Sequence, residues 1–540
     1  MKRKRVKHTN LPDWFNPSII DAMKKRDRAK VIKDEQNYKY WRNKLKSLIY
    51  SAKRSFFNNT INENKHNPKK LWKNLKDLSG KSSKHQTNFI SDQSGNAIED
   101  TQTTAETFNM FFTDKFKMAP MECSNLTNED KAILHDYVSS HLNQSISFNI
   151  PHVSQEYVSK QLKALDSSKS TGLDGLGARY LKMSVNIISG PLTYIFNQCI
   201  SKSCFPSVFK TAKVIPIFKK GSKSDPNNYR PISILPVLSK ILEKHVSDTL
   251  KEYLESHSLI HKTQSGFRSN HSCETALTSV VDSWIDAINK NHLVGTVFLD
   301  LTKAFDLINH SLLLEKMVEY KISLSSQNWF KSYLSERCQQ VSIQGNLSSS
   351  REITSGVPQG SVLGPILFIL YINDLPLHLH NSSADMFADD TTITAVGSSL
   401  HTVCETLQTS LNTVHDWCQR NSMIPNPQKT KAMVISPSNN IYRLALSDEH
   451  KLLLNDHSIE FTEVEKLLGV HVDHKLSWNT QVELILKKCN SMLYLLLRIN
   501  QFLSKHMRKL YFNAYILPYL DYCCTIWDNC SDTLTNKLYK

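Results

Sequence analysis

The sequence predicts an α+β fold. Stretches with apolar residues three and four positions apart, typical of amphipathic helices, are interspersed with short apolar runs that are typical of strands. They alternate irregularly, without the regular strand–helix–strand repeat of a parallel α/β sheet. The chain has 540 residues, of which 40% are hydrophobic, so it can bury a sizeable core. Its length allows about three or four domains.

The first sixth of the chain is predicted to be helical. A helical pattern runs from about Ser18 to Asn59 and has one apolar stripe, formed by Trp41, Leu45, Leu48, Ala52 and Phe56. A second short helix after Pro68 is indicated by Leu71, Leu75 and Leu78. We expect these stripes to pack on each other or on the body of the protein. Residues 81–96, rich in Ser, Asn and Gln, are typical of a loop or linker.

The net charge of +16 is concentrated in this same region. Residues 1–84 contain 24 Lys and Arg against 7 Asp and Glu, a net charge of +17, and the remainder has a net charge of −1. This concentration favours a polyanionic partner such as nucleic acid. The alternative is a solvated basic helix without a partner. A membrane surface is less favoured, because no separate apolar face that could insert is evident.

Several classes of protein are disfavoured by composition. No run of about 18 apolar residues predicts a membrane-spanning helix, and no apolar segment follows the basic start as it would in a secretory signal. We therefore expect an intracellular protein of the nucleus or cytoplasm, without a membrane partner. The 11 cysteines are odd in number and form no C-x-x-C pair, which favours reduced thiols over disulfides or a zinc site.

The more regular part of the chain is predicted to begin near Pro151. Helices are indicated by VSQEYVSKQLKAL, PLTYIFNQCI and LSKILEKHVSDTLKEYLESHSLI, and strands by VIPIF, GTVFLDL and KLLGVHV. The last stretch, 481–520, is apolar and helical in pattern, and we expect Leu493, Leu496 and Leu497 to form one cluster there.

The central chemical signal is a set of carboxylates. Asp300 ends an apolar strand pattern, and Asp389 and Asp390 lie between two short strand-like runs, where a hairpin turn would hold them. Carboxylates are the ligands that Mg²⁺ prefers, and two such ions about 4 Å apart can activate a 3′-hydroxyl and stabilise a leaving pyrophosphate. Three like charges so close would repel one another without cations. Taken singly, each aspartate could equally be a turn or cap residue.

The aspartates occur within an ordered series of motifs. These are YRPISIL, QSGFRSNHSC, FLDLTKAFDLINH, SGVPQGSVLGPILFILYINDL, FADD, NPQKTKAMVI and EKLLGVHVDHKLSW. The succession closely resembles reverse transcriptases of non-LTR retrotransposons, the LINE-like group that includes the jockey elements. The resemblance extends from about Gly172 to Trp527. It implies an RNA-directed DNA polymerase with an RNA template, a DNA primer or target, deoxynucleoside triphosphates and two Mg²⁺ or Mn²⁺ ions.

The resemblance also implies a fold and a domain order. The family fold is a right-hand polymerase, with fingers, a palm built on an antiparallel sheet, and a thumb. In this chain we expect a basic helical arm or connector at 1–88 and a linker with a helical segment at 89–150. A fingers-side region would follow at 151–290, the palm at 291–475 (core domain about 200–473) and a truncated thumb-like region at 476–540.

Catalytic roles follow from the resemblance residue by residue. Asp300 and Asp389 match the family's metal ligands, and Asp390 completes the acidic triad. Lys429 matches a lysine proposed to donate a proton to pyrophosphate, although the nearby Lys431 leaves that assignment open.

Nucleotide-binding roles are carried over in the same way. Arg230 matches the fingers arginine that clamps the triphosphate, and Lys219 and Lys220 either reach the same phosphates or belong to a solvated loop. Phe305 matches the aromatic gate that excludes a 2′-hydroxyl. Gln359 matches a residue that lines the nucleotide pocket.

Further residues complete the resemblance. For Asp306 a structural hydrogen bond to the loop is favoured. Gly356, Gly360 and Gly364 would let the backbone approach template and nucleotide closely, a role compatible with ordinary turn and helix-entry chemistry. Motif C begins with Phe387, where the family often has Tyr.

Other interpretations remain at this stage. The opening LPDWFNPSIIDAMKKRDRAK resembles the connector that follows the family's endonuclease, so residue 1 is expected to lie just past a missing endonuclease domain. An RNA-dependent RNA polymerase would usually have Gly where Ala388 stands and a polar residue where Phe305 stands. A decayed fragment that only binds nucleic acid would be expected to show substitutions in the triad, and none is present.

Overall fold

The computed structural model describes residues 12–63, 90–91, 97–98, 100–114, 125–143, 145–436, 438, 444–445 and 447–539. The predicted helix after Pro68 and the predicted loop at 81–96, apart from residues 90–91, lie outside these residues. The described residues fall into two compact units: the N-terminal helices with residues from Asn479 onwards, and the remainder up to Trp478.

Helices account for much of the described chain. In chain order they are α1 Pro17–Val31, α2 Glu35–Glu63, α3 Thr101–Asp114, α4 Asn128–His141, α5 Gln155–Ala164, α6 Ala178–Met183, α7 Val185–Ser201, α8 Val237–Ser256, α9 Cys273–Asn289, α10 His310–Glu319, α11 Leu324–Leu334, α12 Gly364–Ile372, α13 Leu400–Arg420, α14 Asn479–Ile499, α15 Lys505–Tyr515, α16 Leu517–Asp521, α17 Cys524–Trp527 and α18 Asp532–Tyr539. Several helices begin at a residue whose side chain accepts a hydrogen bond from the backbone N–H three residues later. This bond satisfies a backbone donor that has no partner within the helix. Examples are Ser154, Ser272 and Ser399. None of the described helices is long and apolar enough to cross a membrane.

The strands are mostly short. They are β1 Ile90–Ser91, β2 Ala97–Ile98, β3 Thr211–Phe218, β4 Tyr229–Ile234, β5 Leu293–Leu299, β6 Arg337–Ile343, β7 Asn346–Leu347, β8 Arg351–Ile353, β9 Ser382–Phe387, β10 Asp390–Gly397, β11 Lys431–Ile435, β12 Leu453–Leu454, β13 His457–Ser458, β14 Glu460–Phe461, β15 Val464–Leu467 and β16 Val470–Asp473. The mixture of helices with antiparallel and mixed sheets agrees with the predicted α+β class.

The central sheet of the larger unit has the strand order β14-β11-β5-β10-β9. β10 is antiparallel to both β5 and β9, and only the short edge strand β14 runs parallel to its neighbour. Gly295 of β5 lies under Val403 and Leu407 of α13, whereas Trp284 of α9 donates a hydrogen bond to Thr394 of β10. Because Thr394 pairs with the residue after Gly295, the two helices cover opposite faces of the sheet.

A second sheet has the order β4-β3-β6-β7, with β8 also paired to β6. Phe108 and Phe112 of α3 pack against Val214, Tyr229 and Val341 of this sheet in one buried cluster. The larger unit therefore includes α3, upstream of Pro151. The predicted start of the regular structure was too late in the chain, because α3 follows a segment rich in loop-forming residues.

The smaller unit joins both ends of the chain. Ile19 and Ala22 of α1 pack against Leu45 of α2, with Trp41 and Leu48 at the margin of the cluster. The predicted apolar stripe of α2 therefore packs on α1. The Tyr50 hydroxyl of α2 also donates to the backbone oxygen of Gln501, 2.9 Å away, which links the basic helices to the C-terminal ones.

Two predictions about local structure were wrong. KLLGVHV is a hairpin and not one strand, because the chain reverses at Leu468 and Gly469, whose φ angles are 46° and 96°. The expected cluster of leucines on α14 is largely solvent-exposed, with Leu497 71% exposed. The buried face of α14 carries Val482, Ile485 and Cys489 instead.

Candidate active site

Three aspartates lie at adjoining strand ends of the central sheet. Asp300 follows Leu299, the last residue of β5, and Leu299 pairs with Thr391 of β10. Asp390 directly precedes Thr391, so the antiparallel pairing brings Asp300 beside Asp390. Asp389 lies at the tip of the hairpin between β9 and β10, and the predicted hairpin is therefore present.

The hairpin turn is tight and strained. Phe387 and Asp390 pair across it, which leaves Ala388 and Asp389 as a two-residue loop. Two-residue loops of this kind need a positive φ at their first position and favour glycine there. Ala388 has a φ of 58°, a conformation that costs an L-residue about 1–2 kcal/mol, so the surroundings must hold the turn in place.

Burial and mutual repulsion disfavour charge on the hairpin aspartates. Burial is the largest cause of the raised pKa of Asp389, and the negative charge of Asp300 adds to the rise. Burial likewise raises the pKa of Asp390, and Asp389 and Asp300 raise it further. Asp389 and Asp390 therefore lie where burial and a neighbouring negative charge make ionisation less favourable.

The donor chemistry of this cluster fits a hard divalent cation. All three side chains are carboxylates, which Mg²⁺ and Mn²⁺ prefer as ligands, and a cation would relieve the repulsion among them. Within the described residues, no three His, Cys, Asp or Glu side chains are already arranged as a metal-binding group. The aspartates thus fit a hard divalent cation by ligand type. Their side chains would have to converge around the ion as it binds.

Two lysines on the neighbouring loop and strand are distinguished by their contacts. The ammonium of Lys429 lies 3.4 Å from a carboxylate oxygen of Asp300 and is exposed. Lys431, two residues later on β11, instead forms an ion pair with Glu460. Of the two lysines, only Lys429 contacts the aspartate cluster, which favours it over Lys431 as a proton donor at this site.

Positive charge approaches the aspartates from the second sheet. Lys219 directly follows β3, and Arg230 lies on β4, the strand paired with β3. Both positive charges lower the pKa of Asp389, against the effect of burial. Burial and then the charges of Arg230, Lys429 and Lys220 lower the pKa of Lys219, whereas Asp300 raises it. The acidic and basic groups therefore lie within electrostatic range of each other.

Comparison with known proteins identifies this part of the chain. Residues 217–482 match the family described as reverse transcriptase (RNA-dependent DNA polymerase). These residues are a reverse transcriptase domain. All three aspartates lie within it, as do Lys219, Arg230 and Lys429, and the family predicted from the motifs is confirmed.

Three similar proteins come from mobile elements of Drosophila melanogaster. The chain is 31% identical over 360 residues to the RNA-directed DNA polymerase from mobile element jockey, a match that covers 65% of this chain and 38% of the relative. It is 27% identical over 406 residues to the probable RNA-directed DNA polymerase from transposon BS, covering 73% and 44%. It is 25% identical over 445 residues to the corresponding protein of the transposon X-element, covering 80% and 47%. The chain thus spans less than half the length of these relatives.

Phe305 of the reverse transcriptase domain is held by other aromatic rings. Its ring stacks on Phe368 of α12, with centroids 4.4 Å apart and planes inclined by 25°. Phe267 approaches it edge-on at 6.4 Å, and the Phe305 backbone oxygen accepts from Val357. A ring fixed in this way is suited to act as a steric barrier, because it cannot easily move aside.

The Gln359 side chain contacts Asp306. Its amide nitrogen donates to the Asp306 carboxylate over 2.8 Å, so the predicted hydrogen bond between Asp306 and the loop is present. The two residues line one pocket with Phe112 and Ile353. The aspartate triad is not among the residues that line this pocket, and the predicted role of Gln359 in the nucleotide pocket stays a prediction.

The backbone of the loop around Gln359 is nonetheless fixed closely. Ser233 of β4 donates its backbone N–H to the Gln359 backbone oxygen. A Cβ on Gly360, whose φ is 130°, would lie 2.3 Å from the Ser233 oxygen. A Cβ on Gly356 would likewise lie 2.5 Å from the Asp306 backbone oxygen. At these two glycines the close approach is to protein backbone, as ordinary turn chemistry requires, and approach to template and nucleotide stays a prediction.

Sequence reasoning missed two buried polar residues near the site. Glu243 of α8 is fully buried and accepts the backbone N–H of Val362 over 2.8 Å, just before α12. Gln264, also fully buried, accepts the backbone N–H of Ala388 in the hairpin turn. A buried charge on the apolar face of a helix could have indicated Glu243, and the QSGFR motif contains Gln264, but neither signal reveals the partner.

Proposed function

We propose that this chain is an RNA-directed DNA polymerase, which extends a DNA 3′-hydroxyl on an RNA template with deoxynucleoside triphosphates and two Mg²⁺ or Mn²⁺ ions. The observation that carries the proposal is the meeting of Asp300, Asp389 and Asp390 at one end of the central sheet. Lys219 and Arg230 lie within electrostatic range of them. Ligands for cations and donors for a triphosphate thus border one space.

In this proposal the two sheets correspond to parts of a right-hand polymerase. The central sheet with α9 and α13 is the palm, the second sheet is the fingers, and the C-terminal helices are thumb-like. The family match and the names of the relatives support this assignment, as does the antiparallel pairing of β5, β10 and β9.

The basic residues bind and orient the nucleotide. Arg230 presents a planar guanidinium that can donate two parallel hydrogen bonds to phosphate oxygens. Lys219 and Lys220 add positive charge on the adjoining loop. Together they place the α-phosphate near the aspartates. This positioning raises the rate of nucleotide addition, because the reacting atoms are already held close together.

The carboxylates hold the catalytic ions, with Asp300 and Asp389 as the principal ligands and Asp390 beside them. When bound, the ions supply Lewis acidity to the 3′-hydroxyl and to the phosphate oxygens. Lys429 is positioned to give a proton to the departing pyrophosphate, since its ammonium lies beside Asp300.

Phe305 selects the sugar, because a packed ring leaves no space for a 2′-hydroxyl. Gln359 contributes to the nucleotide pocket through its loop, whose backbone is tied to β4. The basic helices α1 and α2 bind the phosphate backbone of RNA or target DNA without reading sequence. The polymerase acts inside the cell, in the nucleus or the cytoplasm.

A primer-extension assay tests the proposal. The purified chain is incubated with an RNA template, a labelled DNA primer and either deoxynucleotides or ribonucleotides, with Mg²⁺ or with a chelator. We expect extension with deoxynucleotides and Mg²⁺ and none with the chelator. Extension with ribonucleotides alone would indicate an RNA polymerase, and binding without extension would indicate a protein that only binds nucleic acid.

A further inference from the structure

The turn that carries Asp389 has an unusual supporting segment. Residues 263–265, between α8 and α9, run parallel to β9 beside Met386. The backbone N–H of Ser265 donates to the Met386 oxygen over 2.8 Å, and the Met386 N–H donates to the Thr263 oxygen over 3.0 Å. The segment therefore extends the central sheet beyond β9, directly beside the hairpin.

Within this segment, the Gln264 side chain reaches the turn itself. Gln264 is completely buried, and its side-chain oxygen accepts the Ala388 backbone N–H over 3.0 Å. The same oxygen accepts the Gly266 N–H over 2.7 Å. Ala388 is the strained residue of the loop, and it is followed immediately by Asp389. One amide oxygen thus connects the backbone of the turn to the backbone of the supporting segment.

Gly266 allows this contact to form. A Cβ at Gly266 would lie 2.2 Å from the Ala388 nitrogen and 2.9 Å from its Cα. Any side chain there would push the two backbones apart and break the bond between Gln264 and Ala388. An amide that bridges two backbones and a glycine that lets them meet are thus combined directly next to Asp389.

We infer that Gln264 and Gly266 are positioning residues, which hold the strained Ala388–Asp389 turn so that Asp389 and Asp390 stay beside Asp300. This inference rests on the proposed function for its catalytic consequence. Gln264 acts through its hydrogen bond to the Ala388 backbone. Because the positive φ of Ala388 costs free energy, loss of the bond should let the turn relax to another conformation.

Two variants test this role, each with a matched control. Gln264→Met keeps the length of the side chain and removes the acceptor, and Gly266→Ala introduces the clashing Cβ. Asn197→Leu is the control for the first, because the Asn197 oxygen accepts the Val153 N–H over 2.8 Å in another part of the unit. Gly190→Ala is the control for the second, because its nearest contact would be 3.7 Å from a flexible side chain.

Hydrogen–deuterium exchange gives the direct measurement, since it needs no catalysis. We expect the Ala388 amide to exchange faster in both variants and at the parent rate in both controls. The rate of primer extension should fall about 100-fold in the variants, as expected for a misplaced catalytic group, with KM for the deoxynucleotide nearly unchanged. Thermal unfolding should shift no more in Gln264→Met than in Asn197→Leu.

Several results would overturn the inference. An unchanged exchange rate at Ala388 would mean that Gln264 does not hold the turn. Faster exchange with a normal rate of extension would mean that the turn needs no such support. A parent chain that extends no primer would contradict the proposed function, while the exchange experiment would still decide whether the turn is held as inferred.

Discussion

The carboxylate end of the central sheet and the basic face of α2 use charge in opposite ways. Asp300, Asp389 and Asp390 carry like charges held close together on strand ends, and burial together with a neighbouring negative charge raises the pKa of Asp389 and of Asp390. Lys39, Arg42 and Lys46 are spread along an exposed helix face, three and four residues apart. Concentrated charge requires a specific partner at a fixed point, whereas dispersed charge suits any phosphate backbone.

This difference predicts how strongly each region should respond to substitution. Substitution of one of the aspartates removes a carboxylate that occupies a unique position in the reaction. Substitution of a basic residue on α2 removes one of several similar positive charges. It should weaken the binding of nucleic acid only in proportion to the charge that is lost.

The largest effect is expected for Asp389→Asn. An amide is a poor ligand for a hard cation, so the rate of primer extension should fall about a thousandfold or more, a loss of several kcal/mol in transition-state stabilisation. Asp282→Asn, an exposed aspartate of α9, is the control and should keep the parent rate. Equal rates in the two variants would show that Asp389 holds no catalytic ion.

A smaller effect is expected for Lys429→Gln. Loss of a proton donor lowers kcat about 100-fold in typical cases, and Lys429 is the lysine that contacts Asp300. Lys431→Gln is the matched control, since Lys431 pairs with Glu460 on the neighbouring strand. Single-turnover extension rates compare the two. A larger loss in Lys431→Gln would reverse the assignment.

Sugar selection should change more moderately in Phe305→Val. Opening the space in front of Phe368 should raise ribonucleotide use relative to deoxynucleotide use about tenfold, the scale of a small steric change in a pocket. Parallel measurement of kcat/KM with dGTP and GTP gives the ratio. An unchanged ratio would mean that another residue excludes the 2′-hydroxyl.

The smallest effect per residue is expected on α2. If Lys39, Arg42 and Lys46 are replaced by Gln, the slope of log K against log salt on duplex should flatten by about 0.9 for each phosphate that is no longer neutralised. In-place substitution is preferable to deletion of the arm, because α1 and α2 form one compact unit with the C-terminal helices. The control neutralises three exposed lysines of the larger unit: Lys160, Lys169 and Lys290. Equal slopes for both sets would contradict a specific role for the arm.

Much of the site could be predicted from local sequence. Asp300 ends an apolar run that is typical of a buried strand, and Asp389 and Asp390 lie between two runs that suit a hairpin. Strand pairing then brings them together almost automatically. The family's motifs added Arg230 and Lys429, which lie within electrostatic range of the aspartates.

The supporting contacts could not be predicted in this way. Gln264 and Ala388 are 124 residues apart, and no periodicity within a segment indicates which distant backbone a side chain will meet. The hairpin at Leu468 and Gly469 was missed for a different reason: a single glycine within an apolar run also suits one bulged strand, and a non-glycine residue with a positive φ gives no signal. Exposed Leu497 shows that an apolar helical pattern does not identify which face is buried.

One measurement addresses the central claim most directly, namely that the three aspartates form the divalent-cation site of an RNA-directed DNA polymerase. Mn²⁺ is titrated into the chain bound to an RNA template, a DNA primer without a 3′-hydroxyl and the complementary deoxynucleotide, and bound ions are counted by electron paramagnetic resonance. We predict two bound ions in the parent chain and in Asp282→Asn, and loss of this binding in the double variant Asp300→Asn/Asp389→Asn. Equal binding of Mn²⁺ by the parent chain and the double variant would contradict the account.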